Sequence, residues 1–120
     1  MSPGPVSDQT YLKFILDTID EMTDFLEDGL SVLRTSALVR RAVERDLHLI
    51  AESTQKLSEP IKATQAQVPW KSIAGFRNAI VHDYLGIDLG AVENILRNDI
   101  GPLRDACERM LASLDIEREQ

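Results

Sequence analysis

Five side chains able to do chemistry crowd into an otherwise apolar stretch. They are Arg77, Asn78, His82, Asp83 and Tyr84, within the segment Trp70–Tyr84. Each type suits work at a phosphate. Arginine offers a planar fork of donors that matches phosphate oxygens and stays charged. Histidine takes or gives a proton near neutrality. Asparagine can orient either group, and the tyrosine phenol is a donor, an acceptor or a site of modification. On an ideal helix Arg77 and His82 would stand about 140° and about 7.5 Å apart. They can meet one ligand if the helix loosens near His82 or if the two side chains converge from the flanks. They can also do so if a second copy of the chain brings its own set into the same cleft. Arg77 and Tyr84, seven apart, nearly share a line. Spacing alone leaves another reading open, because a lone Arg and a lone His on a short helix more often serve as a surface ion pair or a helix C-terminal cation.

The elements that must position this segment read as helices. Ser7 or Asp8 can cap a first helix whose apolar stripe is Tyr11, Phe14, Ile15, Ile19, Met22, Phe25 and Leu26, at steps of three and four. Its other face is acidic, with Asp8, Asp17, Asp20, Glu21, Asp24, Glu27 and Asp28 against Lys13 alone, and Gly29 is its stop. This face is a solvated one, or one that receives a basic protein. A second helix starts near Thr35 or Ser36 and buries Val39, Val43, Leu47, Ile50, Thr54 and Leu57. Opposite that stripe, Arg41, Arg45, His48 and Glu52 fall on one line, a solvated or subunit-facing stripe that can also line a cleft. Residues 58–70 carry two prolines and read as an irregular connector, with Trp70 as a core lid. Ser72 can cap a short third helix with Ile73, Phe76 and Ile80 as core, and Gly86 ends that segment. Asp88 can cap a fourth helix whose stripe runs from Leu89 through Val92, Leu96, Ile100, Leu103, Cys107 and Met110 to Leu114. Gly101-Pro102 predicts a kink or a break in its middle.

The chain of 120 residues has room for one domain, spanning 1–120 with 1–7 and 116–120 frayed. Aromatic residues make up 5 % and there are five prolines and six glycines, which argues against a strand-rich fold and for an all-α bundle of four to five antiparallel helices. The net charge of −7 excludes a wholesale basic surface for duplex nucleic acid and leaves room for a local basic patch, expected from Arg40, Arg41, Arg45, Lys71 and Arg77. One cysteine, Cys107, cannot form an internal disulfide and reads as a small buried hydrophobe; zinc-ribbon spacing is absent. No run of about 18 apolar residues is present, and the N-terminus lacks the regions of a signal peptide, so the expectation is a soluble cytoplasmic protein with no membrane contact.

Arg77-Asn-Ala-Ile-Val-His82-Asp-Tyr84 resembles the R-x-x-x-x-H-x-Y motif of HepT-like proteins, a branch of the HEPN superfamily. Arg40-Arg41-Ala-Val-Glu-Arg45, Leu49-Ile50-Ala51-Glu52 and Val68-Pro69-Trp70 resemble the flanking pattern, so the likeness spans roughly residues 8–113. The resemblance implies a dimerising helical bundle, HEPN-like, whose motif segments meet across a two-fold axis in a shared cleft. It implies a metal-independent endoribonuclease without cofactor, the toxin of a toxin–antitoxin system. Arg77 and His82 would be its catalytic pair, Asn78 the supporting polar residue and Tyr84 the site of AMPylation. The silencing partner would be an MntA-like minimal nucleotidyltransferase that transfers AMP to that tyrosine. The alternative is a non-catalytic HEPN dimer that binds the nucleotidyltransferase.

Overall fold

Ser7 opens the first helix by accepting the Thr10 amide at 3.3 Å, and α1 then runs Asp8–Phe25 in a computed structural model that describes residues 7–82 and 86–119. Leu12, Ile15, Ile19 and Met22 of α1 are fully buried. Phe14 and Phe25, expected in the same stripe, are instead exposed at 41 % and 36 %. They stand about 100° and about 80° round the helix from Ile15, outside the sector its neighbours cover, whereas Leu12 falls inside it. The turn after α1 passes through Gly29 at φ +99° and leads into a short helix that the apolar spacing does not announce, α2 (Val32–Thr35).

Ser36 caps α3 (Ala37–Lys56), its side chain accepting the Val39 amide at 3.1 Å. Val43, Leu47, Ile50 and Thr54 are buried as their spacing predicts. The proline-bearing connector carries a helix after all, α4 (Glu59–Ala63), because Ser58 supplies a cap and Pro60 sits in the first turn, where its missing amide costs nothing. The single helix expected from Ser72 is two: α5 (Trp70–Ala74) and α6 (Phe76–Ile80), parted at Gly75, with Pro69 rather than Ser72 in the cap position. Val81–His82 (β1) and Gly86–Ile87 (β2) form a two-residue antiparallel pair, Val81 opposite Ile87 and His82 opposite Gly86. Asp88 then caps α7 (Leu89–Asn98), accepting the Ala91 amide.

The interruption near Gly101-Pro102 is a break at Asp99, and α8 (Ile100–Glu119) begins just beyond it with Pro102 in its first turn. The long helices are antiparallel neighbours. Ser58, after the end of α3, bonds Asp8 at the start of α1, and Gln9 reaches Asp115 near the end of α8. Arg104 pairs with Asp20 further along the α1–α8 seam. One apolar cluster runs through all of these helices. Cys107 lies in it, and burial, with Glu108 beside it, pushes its thiol up to about 12.

Candidate functional site

The motif segment is carried by α6 and the turn that follows. Arg77, Asn78 and Ala79 form the exposed side of α6, while Phe76 and Ile80 anchor its other side in the core. The helix stops at Ile80 because Val81 turns extended, at φ −104° and ψ 124°, and the Asp88 amide closes the hairpin onto the Ile80 carbonyl at 2.7 Å. His82 therefore sits on a strand and not on the helix of Arg77. The helical separation of about 140° between them does not apply. Asp83 and Tyr84 lie outside the described residues.

An open groove of about 500 Å³ flanks this hairpin. Arg40, Arg41 and Glu44 of α3 form one wall, and Val81, Gly86, Ile87 and Leu89 form the other. Gly86 holds φ +87°, a left-handed conformation that glycine adopts without steric cost. Of the five cations expected in a local patch, Arg41 and Arg45 are exposed on α3, Lys71 on α5 and Arg77 on α6, and Arg41 lines the groove. Arg40 differs. Its Nη1 donates to the carbonyls of Leu33 at 3.0 Å and Arg34 at 3.2 Å, closing the end of α2. It borders the groove as a fixed structural charge.

Trp70 is half-buried against the core as a lid, and its indole Nε1 donates to the Lys62 and Gln65 carbonyls, each at 3.2 Å. That contact pins the start of α5 beside α4. Residue spacing singles out Arg41, Arg45, His48 and Glu52 but neither Glu44 nor Asp46. Asp46 lies between Val43 and Ile50 at helical spacing within the buried stripe, a signal sufficient to place it inside. No group of three or more potential metal ligands occurs among the described residues, and no helix there is long and apolar enough to cross a membrane.

Comparison with known proteins agrees on one family. The model of the ribonuclease HepT-like family matches residues 15–110. "Probable ribonuclease HepT" of Thermococcus cleftensis is 27 % identical over 109 residues, covering 87 % of this chain and 96 % of its own. "Putative RNase MJ1380" of Methanocaldococcus jannaschii is 27 % identical over 101 residues, 83 % of this chain and 93 % of its own. A longer relative from the same organism, "Gamma-glutamylcyclotransferase and putative RNase MJ0434", is 27 % identical over 106 residues, 88 % of this chain; the chain spans about half of that protein, 48 %. No solved structure matches.

Proposed function

We propose that this chain, which belongs to the HepT-like ribonuclease family, is an endoribonuclease that cleaves RNA by internal transesterification and acts as the toxin of a toxin–antitoxin pair. The observation that carries the reading is the arginine-walled groove of α3 lying against the strand of His82 within the matched residues. Cleavage without a metal needs the ribose 2′-hydroxyl deprotonated, the charged phosphorane held and the leaving 5′-oxygen protonated. His82 supplies a proton transfer. Arg77 binds the phosphate and offsets the charge that grows on it, with Asn78 as its polar companion. The products are a 2′,3′-cyclic phosphate and a 5′-hydroxyl. Two copies of the chain pairing through these segments form the working cleft, with two Arg77 and two His82 facing one strand.

Regulation follows from the same charges. A cognate MntA-like nucleotidyltransferase adds AMP to Tyr84, and the added anion competes with RNA for the arginines. The test is cleavage of single-stranded RNA in EDTA. The parent protein cuts, while Arg77→Ala and His82→Ala lose about 10²–10⁴ in rate with helicity and dimer intact. Equal cutting by His82→Ala refutes its role. Co-expression with the nucleotidyltransferase adds the mass of AMP to the Tyr84 peptide and none to Tyr84→Phe. A complex that forms while the parent protein cuts no RNA points to the non-catalytic dimer.

A further inference from the structure

The polar face of α3 does not end at the hairpin groove. Arg41, Glu44, His48 and Glu52 follow one another at steps of three and four, which lines them along one side of the helix. A second open groove, of about 520 Å³ and lined by Glu52, Gln55 and Lys56, continues that side toward the end of α3. His48 lies between the two grooves. Its Nε2 stands 3.0 Å from Glu52 Oε1, and its side chain is 29 % exposed.

The path of the chain sets His48 level with Arg77. Trp70 ties the start of α5 to Lys62 and Gln65, in the segment that follows α3, so α5 begins at the C-terminal end of α3. Val81, just past α6, lines the same groove as Arg41 and Glu44, which lie nearer the N-terminal end of α3. Helices α5 and α6 thus run back along α3, and both touch it. Arg77 precedes Val81 by four residues, about 6 Å of helix, and four residues on from Glu44 is His48.

Resting on the ribonuclease reading above, we propose that His48 is a second catalytic imidazole of the same chain, removing the ribose 2′-hydroxyl proton, with Glu52 as its positioning residue. Glu52 faces Nε2, so that nitrogen carries the hydrogen and donates it to the carboxylate; Nδ1 is left with the lone pair that a base needs. Entering and leaving oxygens stand on opposite sides of the phosphorus in an in-line displacement, so base and acid are separate groups; His48 takes the entering side and one of the two His82 of the paired copies the leaving side. His48 Nδ1 takes the 2′-hydroxyl proton as O2′ bonds to phosphorus. The P–O5′ bond breaks with its electron pair on O5′, and O5′ takes a proton from His82. One proton is gained and one released, and exchange with water resets both rings.

The deciding experiment compares ordinary RNA with RNA carrying sulfur in place of the bridging 5′-oxygen, a leaving group that departs without a proton. On ordinary RNA, His48→Ala and His82→Ala each lose about 10²–10⁴ in kcat. The sulfur substrate restores cutting by His82→Ala but not by His48→Ala. Glu52→Ala gives a smaller loss confined to kcat, and it decides the matter should His48→Ala lose its helicity. Parent-like cutting by His48→Ala, its rescue by sulfur, or a Glu52→Ala effect confined to KM overturns the proposal while the ribonuclease reading stands. A parent protein inert on both substrates overturns that reading and this one with it.

Discussion

Asp46 on α3 faces Glu21 on α1, carboxyl to carboxyl, across the seam between the two helices. Asp46 is 4 % exposed, and its Oδ2 is buried with no hydrogen-bond partner. Burial above all, then the hydrogen bond and the charge of Glu21, push Asp46 up from 3.8 to about 7, against the pull of Arg45. Two carboxyls share a hydrogen bond only while one keeps its proton.

This pair sets a pH dependence whose direction can be worked out. The folded chain holds a proton on Asp46 that the unfolded chain releases above 3.8, so the unfolded state binds fewer protons between there and about 7. Unfolding free energy contributed by this group is fully present below 3.8 and falls as pH rises, until Asp46 ionises near 7. Asp46→Asn keeps the shape and cannot ionise. Thermal melts from pH 5 to pH 8 are expected to show the parent losing Tm steadily and the variant staying flatter, with the higher Tm at pH 8. A parent-like slope in the variant would remove Asp46 from the account.

Adjacent arginines on α3 are expected to part in their effects. Arg40→Ala removes a charged donor from the Leu33 and Arg34 carbonyls and costs about 1–2 kcal/mol of stability. Arg41→Ala leaves stability within about 0.5 kcal/mol, since its side chain is exposed in the groove. It weakens RNA binding and lowers the slope of log affinity against log salt by about 0.7, the amount expected for one lost phosphate contact on a single strand. Urea titration and salt-dependent binding read the two effects separately, and loss of stability in both variants would refute the division.

Gly86→Ala tests the hairpin. A Cβ at φ +87° meets nothing within 4 Å, so the cost is backbone strain alone, roughly 1 kcal/mol. The strain falls directly opposite His82 in the strand pair. RNA cleavage is therefore expected to drop by far more than the shift in Tm would suggest. Unchanged cleavage would mean that the hairpin does not set the position of His82.

The sequence by itself determined the long helices and most of their buried faces. Ser7, Ser36 and Asp88 are caps whose side chains accept an amide three residues on, a purely local event, and each opens a helix where its residue type predicts. The stripes of α3 and α8 follow from a period that any apolar face must keep. The motif from Arg77 to Tyr84 was equally legible, because residue types and order need no coordinates.

Tertiary structure decided which neighbours cover which residue. It left Phe14 and Phe25 in solvent, put Leu12 inside, and gave Arg40 to the carbonyls of α2. It ended α6 at Ile80, since a chain that returns to bond Asp88 to Ile80 cannot continue as helix, and this put His82 on a strand beside the α3 arginines. Such outcomes depend on groups distant along the chain, whose approach no periodicity encodes.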